Sequence, residues 1–152
     1  MKWHSIFAIV SIVSILFVAG CSDDNPVNNN EESAHAEAAG LVITMDGTEI
    51  VRYEEGAVTG NIPVHAGEST SVLSVQFISE EDGDLFTPGT DHHSLVCEVD
   101  DESIATYEKQ EGSNWSFFIH GVTAGSTTIE IKIFHGDHAD FVSLPISIEV
   151  TQ

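Results

Sequence analysis

Basic residues are almost absent from this chain of 152 residues: Lys and Arg total four against 25 Asp and Glu, a formal charge of −21 at pH 7. With no basic surface to displace counterions from a phosphate backbone, nucleic acid is excluded as a partner. Cysteine is scarce too, with only Cys21 and Cys97. If Cys21 is modified, no internal disulfide can form, and Cys97, set in the alternation SLVCEV, reads as a small buried hydrophobe rather than a nucleophile. Also missing are a convincing amphipathic helix, a G-x-S-x-G elbow, an HExxH motif and a Cys–His pair at a helix terminus. The chain is therefore expected not to be an enzyme, and a hydrolytic zinc site with an open position is the one catalytic variant left.

What is present begins with an export signal. Residues 1–20, MKWHSIFAIVSIVSILFVAG, set Lys2 before an apolar stretch from Ile6 to Val18 and small residues before Cys21, which is the pattern of a secretion signal. The stretch VAGC, Val18 to Cys21, resembles the bacterial lipobox, which implies cleavage before Cys21 and lipidation of that residue. An ordinary secretory signal with a stray Cys is the alternative. The SDD that follows Cys21 is similar to the export tag of surface-exposed bacterial lipoproteins. Together these resemblances imply a cell-envelope protein, held to the outer membrane by its N-terminal lipid and facing the exterior. The mature chain would keep Arg52, Lys109 and Lys132 against all 25 acids, a charge of −22 that attracts cations.

Residues 21–40 combine the Cys21 anchor with the polar, acidic SDDNPVNNNEESA, the composition of a disordered tether. Residues 41–152 then change character. LVITM and TEIVRY flank Asp46-Gly47, a two-residue hairpin signal. GNIPVH, TSVLSVQFI, SLVCEV, SIATYE, WSFFIH, TTIEIKIF and FVSLPISIEV follow, each short and rich in β-branched or aromatic residues. The spacing predicts an all-β antiparallel sandwich. Ser103, Ala105 and Thr106, then Gly121, Val122, Thr123, Ala124, Gly125, Thr128 and Ile129, resemble the paired motifs of the bacterial Ig-like group 2 domain. VHAGESTSVLSV, from Val64, is similar to a further segment of that family. The resemblance covers about residues 60–150 and implies an Ig-like sandwich, to which 41–59 adds an N-terminal hairpin. It implies a structural or adhesive module without shared catalytic residues.

Strand direction then places the histidines. Consecutive antiparallel strands alternate, so the turn at 135–140, the connection at 79–93 and the residues before Leu41 should share one end of the sandwich. These segments carry His35-Ala-Glu37, Asp91-His92-His93 and His135-Gly-Asp137-His138-Ala-Asp140. Five of the seven histidines after residue 20 would meet there, each near a carboxylate, with His65 and His120 at the opposite end in half-buried surroundings.

Neutral imidazole is the commonest nitrogen ligand of Zn²⁺, and a tetrahedral site wants three or four N or O donors. His135 and His138 are expected to chelate, His35 and one of His92 and His93 to complete the sphere, and Glu37, Asp137 and Asp140 to act as ligands or to orient the rings. The repeated His-Ala-acid triplet at 35–37 and 138–140 suggests equivalent use. Zinc is the first choice, and Cu²⁺ and Ni²⁺ accept the same donors. Calcium at Glu80, Glu81, Asp82 and Asp84, without EF-hand spacing, is a rival. A pH switch through carboxylate-flanked histidines is another. The expected function is metal capture or delivery to an uptake receptor or transporter, and the competing one is a structural or adhesive module with surface histidines.

Overall fold

The computed structural model describes residues 35–152, so the signal segment, Cys21 and the tether up to residue 34 lie outside the described residues. The short apolar runs fold as two stacked sheets. β1 (Ala38–Met45) and β2 (Thr48–Glu54) form the expected hairpin, with both turn residues at positive φ, 52° at Asp46 and 77° at Gly47. An unanticipated second hairpin of the same kind turns at Glu55 and Gly56 and adds β3 (Ala57–Gly60). The first sheet runs β3-β2-β1-β5-β9-β8, with β5 (Leu73–Ser79), β9 (Ser116–Gly121) and β8 (Ala105–Lys109), and short β6 (Leu85–Phe86) pairs with β5.

The second sheet is built on β10 (Gly125–His135). β7 (His93–Val99) pairs along one side of it, and β11 (His138–Val142) and β12 (Ile146–Thr151) share the other. β4 (Ile62–His65) closes the far edge, parallel to β12. The run 57–65 thus crosses from one sheet to the other between β3 and β4. Between β11 and β12, near Pro145, the buried Ser143 keeps the ladder closed: its hydroxyl accepts the Ile131 N–H at 2.9 Å and its own N–H donates to the Ile131 carbonyl at 2.9 Å.

Alternating residues of both sheets meet between them. Leu41, Ile43, Leu73, Phe77, Phe117 and Ile119 face Ile62, Ile129, Ile131, Ile133, Ile146 and Ile148, all fully buried. This is the period-2 pattern of a two-sheet core. Phe77 is the aromatic hub, edge-on to Trp115 at 5.5 Å and to Phe141 at 5.6 Å between ring centroids. Cys97 is half-buried, and desolvation pushes its thiol up to about 12, against a weaker opposing hydrogen bond with Tyr107. It is held as a neutral thiol.

The N-terminal boundary of the folded part differs from expectation. The tether was expected to run to residue 40, yet Ala36 and Ala38 are buried in the core and β1 begins at Ala38. Gly40 allows this start: a Cβ there would lie 2.1 Å from the Tyr53 carbonyl oxygen, so only glycine lets β1 pass the end of β2 so closely.

Two outcomes check this packing. Phe77→Ala should cost about 3–5 kcal/mol in urea unfolding, the range for a fully buried Phe that leaves a cavity. Cys97 in the native protein should react with a thiol-alkylating reagent at pH 8 at least about tenfold more slowly than in urea, since the thiolate is the reactive form.

Candidate metal centre

The strand directions bring the expected segments to one end. Within the second sheet β7 and β11 are both antiparallel to β10, so the start of β7 lies at the β10–β11 turn, and the residues ahead of β1 meet that end where His35 and Ala36 contact Asp140. The turn itself spans two residues between His135 and His138, which are paired across it, and Gly136 supplies the positive φ of 60°. His135 is also the direct cross-strand partner of His93.

A β-bulge aims the central carboxylate. Ile133 pairs with Phe141 but Phe134 pairs with Ala139, which leaves Asp140 as the extra residue on β11. Neighbouring residues of a regular strand point to opposite faces, whereas a bulge re-aims a side chain. Phe141 accordingly enters the core while the Asp140 side chain is also turned inward, with only 2% exposed.

Four imidazoles surround that carboxylate. At Oδ1 lie His35 Nδ1, 2.8 Å away, and His138 Nε2, 3.1 Å away. At Oδ2 lie His93 Nε2 at 3.3 Å and His135 Nδ1 at 3.7 Å. The Ala36 N–H donates to Oδ2 at 2.9 Å. His35, His135, His138 and Asp140 each offer one donor atom within 4.8 Å of all the others, the only such grouping of potential metal ligands among the described residues.

Two of the rings are oriented from behind. His138 Nδ1 lies 3.2 Å from Asp137 Oδ1, and His93 Nδ1 lies 3.3 Å from the Gly89 carbonyl oxygen. Both oxygens only accept, so Nδ1 carries a proton in each ring and the Nε2 side of each ring faces the carboxylate. Such outer partners are the usual support of metal-ligating imidazoles. Burial pushes the Asp140 carboxyl up, but the His35 and Ala36 hydrogen bonds and the nearby imidazoles outweigh it and hold it below the usual carboxylate range. Desolvation lowers His135 despite the attraction of Asp140, with the neighbouring imidazoles acting in the same direction as burial. The His138 hydrogen bond lowers Asp137.

The expected residues are not used alike. The two His-Ala-acid triplets are not equivalent: Asp140 is central, whereas Glu37 points away and lines a cleft of about 520 Å³ with His35, Ser79, Glu81, Asp82, Asp84 and Phe86. Asp137 is fully exposed behind His138, and His92 is an exposed ring 6.3 Å from that of His135. The acidic loop is a self-capped turn, in which Asp82 Oδ1 accepts the Asp84 N–H at 3.1 Å. At the other end of the sandwich His65 is exposed, not half-buried, beside Thr151. His120 is half-buried, joining Glu108 at 2.7 Å and the Ser69 hydroxyl. The Ala36 N–H, a backbone group without a residue signature, was not anticipated at the site.

No protein-family model and no curated protein matches the chain, so the Ig-like group 2 resemblance rests on its motif residues. Among solved structures the chain is similar to domains 5–6 of the S-layer protein SbsC, with 22% identity over 61% of this chain and 40% of that one, at a TM-score of 0.44. It is also similar to domains 4 and 5 of SbsC, with 18% identity over 76% of this chain and 54% of that one, at a TM-score of 0.45. The chain thus spans about half or less of the length of these structures.

The buried carboxylate sets an acid dependence. Because Asp140 titrates lower folded than unfolded, its charged form stabilises the fold above the unfolded value near 4, and that contribution is lost as pH falls through the folded one. In EDTA, Asp140→Asn should cost about 1–3 kcal/mol at pH 7, with the cost shrinking below about pH 4. A cost that stays constant down to pH 2 in paired denaturation curves would contradict this assignment.

Proposed function

We propose that the protein binds a divalent transition metal, zinc first, through the cluster around Asp140, as a binding protein rather than an enzyme. One observation carries the reading. His35 Nδ1, His138 Nε2 and Asp140 Oδ1 form a triangle with sides of 2.8, 3.1 and 3.4 Å. Bonds of about 2.0–2.1 Å to a tetrahedral Zn²⁺ place neighbouring donors about 3.3 Å apart, so the triangle has the dimensions of one face of such a site. A donor set this rich in imidazole suits Zn²⁺, Cu²⁺ and Ni²⁺ and disfavours Ca²⁺, which takes oxygen ligands.

The setting supports capture. Glu37, Glu81, Asp82 and Asp84 line the cleft beside the partly exposed His35, an acidic approach for a cation on a chain of net charge −21. With the lipobox-like VAGC and the acidic tether, the reading is of an envelope protein anchored through Cys21. It would gather metal outside the membrane and hand it to an uptake receptor or transporter.

Thermal unfolding with excess metal tests this. Zn²⁺ at a free concentration 100-fold above Kd should stabilise the protein by about 2.7 kcal/mol, by the linkage of binding to folding. The double variant His135→Ala/His138→Ala should abolish the gain. An unchanged melting temperature in the parent protein, or an undiminished gain in the variant, would remove the metal reading and leave the structural or adhesive one.

A further inference from the structure

The cluster holds more donors than one tetrahedral ion uses, and they divide in two. His35 Nδ1 and His138 Nε2 face Asp140 Oδ1, whereas His93 Nε2 and His135 Nδ1 face Oδ2. The two groups also differ in depth. The side chains of His35 and His138 are 66% and 48% exposed, those of His93 and His135 only 10% and 13%. His93 and His135 lie 4.8 Å apart between centroids, and His135 also lies 5.3 Å from His138 and 5.5 Å from His35, so it is the ring that adjoins both groups.

His93 is the residue that a single outer ion leaves unexplained. Its Nδ1 lies 3.3 Å from the Gly89 carbonyl oxygen, and its buried Nε2, 3.3 Å from Oδ2, makes no hydrogen bond. A buried polar atom left without a hydrogen bond is costly, and a metal ion held between Nε2 and Oδ2 would remove that cost. A metal bound to His35, His138 and Oδ1 leaves that nitrogen without a hydrogen bond.

We propose that the cluster is a dinuclear centre, in which Asp140 bridges an outer ion held by His35 and His138 and an inner ion held by His93 and His135. The inference rests on the metal-binding reading above and adds the number and placement of the ions. Each carboxylate oxygen has two acceptor sites. Oδ2 gives one to the Ala36 N–H and keeps one for the inner ion, while Oδ1 is met by the outer pair of rings. Two ions bridged in this way sit about 3.5–4 Å apart. The inner position, closed by buried rings, is the retained one, and the outer position, with its exposed rings beside the acidic cleft, exchanges with solvent.

The count of bound metal tests this directly. The purified protein, loaded with Zn²⁺ and desalted, should hold two ions per chain by native mass spectrometry. His93→Gln and His35→Gln should each hold one, and the double variant none. Cu²⁺ loading should give a half-field resonance from coupled ions in electron paramagnetic resonance, replaced in either single variant by the signal of an isolated Cu²⁺. One ion in the parent protein would overturn the dinuclear assignment while sparing metal binding, and no ion would overturn both. Two ions that persist in His93→Gln and His35→Gln would place the second site elsewhere and overturn the bridge. Because the His35 side chain is largely exposed, that variant still reads the assignment if His93→Gln folds poorly.

Discussion

A carboxylate buried at the end of a β-sandwich must be compensated, and the compensation of Asp140 organises this end of the molecule. An unpaired buried charge costs several kcal/mol. Its partners come from separate parts of the chain: the Ala36 N–H and His35 ahead of β1, His93 at the start of β7, and His135 and His138 at the β10–β11 turn. Those segments belong to different sheets, since β1 lies in the first and β7, β10 and β11 in the second. Asp140 therefore ties the two layers together where hydrophobic packing gives way to solvent.

The core makes the carboxylate's position costly to change. Phe141, the next residue, is inserted against Phe77 and Tyr53, with ring centroids 5.6 and 6.0 Å apart. Restoring regular pairing on β11 would turn either Phe141 or Asp140 outward, since a shift of one residue exchanges the faces of a strand. The bulge is thus fixed from the core side by an aromatic anchor and from the polar side by hydrogen bonds. Small residues make room on the opposite flank, where Ala36 and Ala38 are buried against the same cluster of side chains.

Much of this was legible in the sequence. The strand runs, the Asp46-Gly47 hairpin and the alternation of direction foretell which loops share an end, because period-2 burial and short turns leave little freedom. The Glu55-Gly56 hairpin was missed, since Glu is an unusual residue at positive φ and carries no turn signal of its own. The β3-to-β4 crossing was hidden inside what reads as one strand and its lead-in. At the site, the sequence brought the histidines together but treated Glu37 and Asp140 alike. A bulge of one residue decides between them, and its cause lies in cross-strand packing that no local triplet encodes. The tether boundary failed for a related reason: alanines in a polar stretch look like spacer until a partner sheet covers them.

The two acidic regions at this end are held in different ways. The loop at 80–84 is rich in charge, and it is pinned by local bonds: Asp82 Oδ1 accepts the Asp84 N–H and Ser79 Oγ accepts the Glu81 N–H. On the metal-binding proposal, such groups would lower the energy of a cation in the cleft without fixing its coordination. Around Asp140 the opposite holds. His93 and His138 have their outer nitrogens occupied by Gly89 and Asp137, so their inner nitrogens are held in place before any ion arrives. Preorganised donors lose little freedom on binding, whereas exposed acids must each be ordered by the ion. On the metal-binding proposal, the acidic cleft would act on the approach of a cation, and the imidazole pairs would decide which one stays.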